Sequence, residues 1–355
     1  MPEGHTLHRL AQAVDAAFAG TAPSVSSPQG PFAEGAALLD RRGVLGASAY
    51  GKHLFVEFTE ERWLNIHLGL IGKLAVDRIT GYASVPPPRG AVRLRMVNDD
   101  YLADLRGAVI CAVVTPDEVQ AVLSRLGPDP LADGQDSSTS WTRIARSGRT
   151  IAELLMDQSV VAGVGNVYRC EVLYRHRVNP FRPGREIRRS TWDAMWADLL
   201  RLMPLGVAFN QIVTMEDQVE LAEALLAAGR VPELTSTWTD TWAESARQSG
   251  GRASVGGGSI GRGPSAVTAQ GAMASGVPDG VTDVAAEVGV VEGAIRDADL
   301  EDEEESGDRQ AEGLERRFYV YRRHGERCWV CGSRIRTQVL AGRNLYWCGR
   351  CQRRR

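Results

Sequence analysis

Two Cys-x-x-Cys pairs close the chain, Cys328-Trp-Val-Cys331 and Cys348-Gly-Arg-Cys351, with 16 residues between them. That spacing lets two thiolate pairs complete a tetrahedron around one Zn²⁺, and four protein ligands leave no open position for chemistry. The expected metal is therefore a single structural zinc, worth on the order of 10 kcal/mol to the folding of so short a module. The intervening Leu340 to Trp347 reads as a hairpin with Arg343 near its tip. Cys111 and Cys170 stand apart in apolar surroundings and read as small buried thiols.

The net charge of -3 conceals a steep gradient. Residues 315–355 hold 12 basic and 2 acidic side chains, residues 246–314 hold 5 and 13, and residues 1–245 hold 24 and 29. A tail at +10 is the electrostatic footprint of a phosphate-binding module. Residues 246–314 contain no aromatic residue and include the acidic run Asp299 to Glu305, so they read as a disordered linker. No stretch approaches 18 consecutive apolar residues, and His5, His8, Arg9 and Asp15 interrupt the first turns. This pattern leads us to expect a cytoplasmic protein with no membrane partner.

Leu7, Leu10, Ala11, Val14 and Phe18 recur at helical spacing and Gly20 follows as a stop, so a helix anchors the N-terminus. Short apolar runs at Leu54–Phe58, Trp63–His67, Val92–Val97 and Ala108–Val114 then read as an antiparallel β-sandwich. Helical patterns follow at Pro116–Leu126, Thr150–Asp157, Tyr168–Tyr174, Ser190–Met203 and Gln218–Ala228. Between the second and third of these, Val160 to Asn166 is too glycine-rich for helix and reads as two tight turns, with Gly163 and Gly165 free to take positive φ. Tyr168 stands where a dinucleotide fingerprint needs its third glycine, which excludes that reading. The expected architecture is α+β and multidomain: a β-sandwich over 1–115, a helical domain over 116–245, the linker over 246–314 and a zinc finger over 315–355.

Pro2 is small enough to permit removal of Met1, which would expose a secondary amine beside the carboxyl of Glu3. An α-amino group with a pKa near 8 is partly unprotonated at neutral pH and can attack a sugar C1′ to form a Schiff base. A neighbouring carboxyl can move the protons this chemistry needs. Together with Gly51-Lys52 before an apolar strand, Asp157-Gln158 with Gly163-Val-Gly-Asn166-Val-Tyr168, and a terminal finger carrying Gly342-Arg343, this start resembles the formamidopyrimidine-DNA glycosylase and endonuclease VIII family. The likeness covers about 1–245 and 315–355. Pro-Glu-Gly at 2–4 and Leu155-Met-Asp-Gln158 resemble the endonuclease VIII branch, of the actinobacterial type.

The resemblance implies a bifunctional DNA glycosylase and abasic-site lyase, a monomer whose partner is damaged double-stranded DNA. It implies Pro2 as nucleophile, Glu3 as general acid/base, Lys52 on phosphate and in β-elimination, Asn166 on the lesion phosphate, and Arg343 on the phosphate at strand cleavage. Arg106 would contact DNA opposite the lesion, and Leu70 would fill the void left by an extruded base. Gly107 stands where the purine-repair branch has a bulky aromatic wedge, which leaves the void-filling incomplete. The endonuclease VIII likeness of residues 2–4 and 155–158 implies oxidised pyrimidines as substrates, with formamidopyrimidines as the alternative. The alternative from another class is a damage-binding protein without catalysis. A zinc-ribbon partner module would account only for the last 41 residues. His5, His8, His53 and His67 lack metal-ligand spacing and are assigned to structure or solvent.

Overall fold

The computed structural model describes residues 2–80, 84–237 and 313–353. The acidic linker expected over 246–314 lies outside them except for Gly313 and Leu314, and Leu314 is buried in the helical core.

Helix α1 (Gly4–Phe18) turns Leu7, Ala11, Val14 and Phe18 inward, and Gly20 at φ 76 takes the chain out of it. That face packs between two sheets. One is antiparallel, β2 (Val44–Tyr50), β3 (His53–Phe58), β4 (Arg62–His67) and β8 (Ile110–Val114), in the order β2-β3-β4-β8. The other orders β1 (Ser24–Ser26), β6 (Val92–Val97), β7 (Tyr101–Arg106), β5 (Lys73–Arg78) and β9 (Ser236–Thr237) as β1-β6-β7-β5-β9. Leu54, Val56, Phe58, Leu64 and Ile66 of the first meet Val76, Leu94, Met96, Ala103 and Leu105 of the second in one core.

Strands β5 and β7 escape a reading of the sequence because they bury charge on the face of the sheet that turns away from the core. Asp104 is buried, and Arg95 holds it with paired bonds of 2.7 and 2.8 Å from Nε and Nη2. Such a pair makes a charged residue compatible with an interior that periodicity reserves for apolar ones. The short α2 (Ala33–Leu39) lies between β1 and β2 in the chain.

Beyond β8 come α3 (Pro116–Leu123), α4 (Ser138–Ala145), α5 (Ile151–Met156), α6 (Asn166–Arg175), α7 (Arg189–Phe209) and α8 (Glu216–Ala227). Capping boxes start two of them, Thr115 with Glu118 on α3 and Thr150 with Glu153 on α5. Helix α7 runs through Pro204, six residues past the stop expected at Met203. An interior proline costs about 3 kcal/mol, and burial of Leu205, Val207 and Phe209 offsets it.

The turns between α5 and α6 form as expected, with Gln158 tying them by bonds to Val164 O (2.9 Å) and from Gly163 N (3.0 Å). Gly163 has φ 83, but Gly165 has φ -121, which corrects its assignment to positive φ. Gly165 is needed for space, since a Cβ there would lie 2.3 Å from the Glu3 carboxyl carbon.

The finger is a hairpin, β10 (Ile335–Leu340) with β11 (Arg343–Cys348), turned by Ala341 at φ 49 and Gly342 at φ 73. Leu345, Trp347 and Cys348 enter the same core as α6 and α7. Glu171 on α6 fixes the approach, its buried carboxylate accepting from the backbone of Tyr319, Val320 and Tyr321 at 2.8 to 2.9 Å and from the Thr214 hydroxyl at 2.9 Å.

Candidate active site and zinc centre

Glu3 is the first turn's link between the two large domains. Fully buried, its carboxylate accepts from Gly165 N at 2.8 Å and Val167 N at 2.7 Å, the unsatisfied donors at the N-terminus of α6. Next to it Gly4 N bonds Gly163 O at 2.8 Å, and a Cβ on Gly4 would meet Gly163 Cα at 2.7 Å. Pro2 is thereby fixed, half-buried, where α1, the two turns and α6 converge.

Burial raises the Glu3 pKa, against the pull of Lys52 and the two N–H donors. A carboxyl in this position holds a proton more readily than an exposed one. Burial lowers the pKa of Lys52, which Arg343 and Arg169 push the same way while Glu3 opposes. Lys52 follows Gly51 in the β2–β3 turn, and Asp129 holds that turn by accepting from Gly51 N at 2.6 Å. Asp129 also bonds His8 at 2.8 Å.

The other expected residues divide into those brought here and those placed on the rim. Asn166 is buried at the start of α6 and donates Nδ2 to the Asn344 carbonyl at 3.0 Å, so the hairpin covers it. Arg343, half-exposed beside that contact, lies close enough to Lys52 to act on its titration. Arg106 is committed to Asp104 (2.9 Å) and the Arg89 carbonyl (2.9 Å), with part of its guanidinium open to solvent.

Leu70 is half-buried, whereas Ile71 is 65% and Val109 66% exposed. Val109 N bonds His67 O at 2.9 Å, and a Cβ on Gly69 would strike Val109 Cγ2 at 2.3 Å, so the β4–β5 and β7–β8 turns form one apolar tip. Sequence reasoning missed both residues, because an isolated valine or isoleucine in a turn carries no periodic signal.

His5, His8, His53 and His67 have partners within the fold. His53 bonds Asn65 at 3.1 Å, His67 accepts from Gly69 N at 3.1 Å, and burial pushes His67 down to about 4 and His5 down to about 3. Cys111 and Cys170 are buried free thiols.

The four finger cysteines bring their sulfurs within 4.8 Å of one another, with Cys328–Cys351 at 3.8 Å and Cys331–Cys348 at 3.4 Å. A tetrahedron with Zn–S bonds of 2.3 Å has edges of about 3.8 Å, so the donor set fits zinc. Ser333 Oγ lies 2.8 Å from Cys331 Sγ and Tyr174 Oη 3.0 Å from Cys328 Sγ, outer partners that orient the ligands. The chain holds one structural zinc.

Three family models match in succession: the formamidopyrimidine-DNA glycosylase N-terminal domain at residues 1–108, the formamidopyrimidine-DNA glycosylase H2TH domain at 126–217, and a zinc finger found in FPG and IleRS at 325–354. Endonuclease 8 1 of Mycobacterium tuberculosis (strain ATCC 25618 / H37Rv) is 37% identical over 352 residues, 99% of this chain and all of that one. The chain belongs to the formamidopyrimidine-DNA glycosylase and endonuclease VIII family. It is a DNA glycosylase of base excision repair and a homologue of Endonuclease 8. A formamidopyrimidine-DNA glycosylase of Laribacter hongkongensis (strain HLHK9) is 36% identical over 138 residues, 37% of this chain and 48% of that one. Among solved structures, Lactococcus lactis Fpg in complex with DNA containing an abasic site superposes with a TM-score of 0.62 at 16% identity, covering 99% of this chain and 100% of that one. That likeness gives the glycosylase its fold.

Proposed function

We propose that the protein is a bifunctional glycosylase and abasic-site lyase, a monomer that binds damaged double-stranded DNA and removes oxidised pyrimidines. The observation that carries this reading is the Glu3 carboxyl, buried against the N-terminus of α6 with Pro2 beside it and Lys52 across from it.

Freed of Met1, the Pro2 nitrogen attacks C1′ of the damaged nucleotide. Glu3, whose hold on a proton burial strengthens, delivers a proton to the sugar as the base departs and the iminium forms. Loss of a C2′ proton then expels the 3′ phosphate, and a second elimination expels the 5′ phosphate. Lys52 and Arg343 bind phosphate through these steps, with Asn166 completing the site once the hairpin shifts. Arg106 faces the opposite strand, and the positive finger supplies non-specific affinity. Retention of Pro2, Glu3 and Lys52 around one point favours catalysis over a silent damage-binding protein.

Borohydride should trap the wild-type protein covalently on duplex containing an abasic site, and Pro2→Gly should lower the trapped fraction at least tenfold at equal DNA binding. Equal trapping by the variant, or a mature protein that keeps Met1 and still cleaves lesions, would remove Pro2 from the reaction.

Extrusion of a base leaves a void, which Leu70, half-buried, would fill together with the more exposed Ile71 and Val109. Ile71→Ala is expected to slow removal of thymine glycol about tenfold, the scale of unstacking by a wedge. Cleavage at a preformed abasic site should change far less. Equal losses on both substrates would assign Ile71 to general binding.

A further inference from the structure

Arg169, one turn into α6, is fully buried, yet no carboxylate among the described residues pairs with it. Its Nη2 donates to Asn166 Oδ1 and, at 3.5 Å, to the Asn344 carbonyl, while Nε and Nη1 have no partner. The family resemblance gives this position no role.

A buried guanidinium is tolerated when an anion compensates it, and neutral acceptors do so only in part. Glu3 is committed to Gly165 and Val167, and Glu153, which feels the Arg169 charge, is committed to Thr150, while Lys52 and Arg343 add positive charge in the same region. The cluster is therefore short of negative charge in the DNA-free protein. The Asn344 carbonyl oxygen accepts from Asn166 Nδ2 at 3.0 Å and from Arg169 Nη2 at once, which is the arrangement a phosphate oxygen would complete with stronger bonds.

We propose that Arg169 and Asn166 form a strand-phosphate receptor that the finger hairpin covers in the free protein, the Asn344 carbonyl standing in for a phosphate oxygen until DNA displaces it. Arg169 orients the Asn166 amide by holding Oδ1, leaves Nδ2 to the incoming oxygen, and provides the countercharge from below. The proposal rests on the DNA-repair reading only for the identity of the anion, a backbone phosphate.

The full-length, zinc-loaded Arg169→Met variant tests it, with duplex carrying a tetrahydrofuran abasic analogue that cannot be cleaved through an imine. Removing an uncompensated buried charge should raise the Tm of the DNA-free protein by about 2–8 °C. The same variant should bind the duplex about 10- to 100-fold more weakly. Its slope of log Kd against log salt should be shallower by about one. Arg169→Lys, which keeps the charge but cannot hold Asn166 and Asn344 together, should recover the salt slope and only part of the affinity.

A lower Tm or a failure of Arg169→Met to fold would show that Arg169 only tethers the hairpin, and an unchanged affinity and salt slope would likewise overturn the proposal. Because binding is measured without covalent chemistry, a wild-type protein that borohydride does not trap would refute the Schiff-base reading and leave this test intact.

Discussion

Glu3→Gln should slow release of a damaged base by about 10²–10⁴-fold, the range for loss of a positioned general acid. The amide is nearly isosteric, so α1 should still dock on the turns. It cannot transfer a proton, however, and its NH₂ must face one of the two donors, Gly165 N or Val167 N, that the carboxylate satisfies together. Burial raises the Glu3 pKa, so the protonated acid persists above the usual carboxylate range and is lost as pH climbs through the raised value. The sign for stability is the same: a carboxyl with a raised folded pKa contributes fully below its unfolded pKa, and that contribution fades as pH rises through the folded one. Single-turnover base release against pH should therefore be bounded by two ionisations in the wild type, those of Glu3 and the Pro2 amine. The variant should lose one of them. A variant with wild-type rates, or with both ionisations intact, would move the acid elsewhere.

Stripping zinc, or replacing Cys348 by Ser, should abolish strand cleavage more than 100-fold by unfolding the hairpin. Metal binding of this kind carries on the order of 10 kcal/mol of folding free energy, more than a hairpin of six-residue strands supplies itself. The loss should spread. Cys328 lies against Tyr174 of α6, Leu345 and Trp347 share the helical core, and the hairpin carries both Arg343 and the Asn344 carbonyl over Asn166. Chelator-driven metal release followed with a colorimetric zinc indicator, alongside nicking of abasic-site duplex, checks this. Full cleavage by metal-free protein would show that the finger is dispensable.

Much of this could be read before any fold was known, wherever the chemistry is local in the chain. The four cysteines are separated by short loops, so their spacing alone fixes a metal set. Helix α1 announces itself because one apolar face repeats every three or four residues and Gly20 ends it. Pro2 and Glu3 are neighbours, so their joint chemistry needs no tertiary contact to be recognised. Strands β5 and β7 were not legible, because Asp104 can be buried only when Arg95 arrives from the adjacent strand. The end of α7 was misplaced for a similar reason: a proline rule of local sterics yields to burial that the sequence does not display.

What the sequence determined by itself is therefore a set of reactive groups: a thiolate cage, an amine beside an acid, and a basic tail. What the tertiary structure decided is how those groups act on one another. Glu3 becomes an acid because segments more than 160 positions away in the chain bury it, against the opposing pull of the Gly165 and Val167 N–H groups. Gly165 is small because that carboxyl needs its room, Ile71 stands more exposed than Leu70, and Arg169 lies beneath the finger with two of its nitrogens lacking partners. Spacing along a chain specifies bonds between near neighbours, whereas proton affinity, exposure and unbalanced charge depend on desolvation by segments distant in the chain, which only folding brings together.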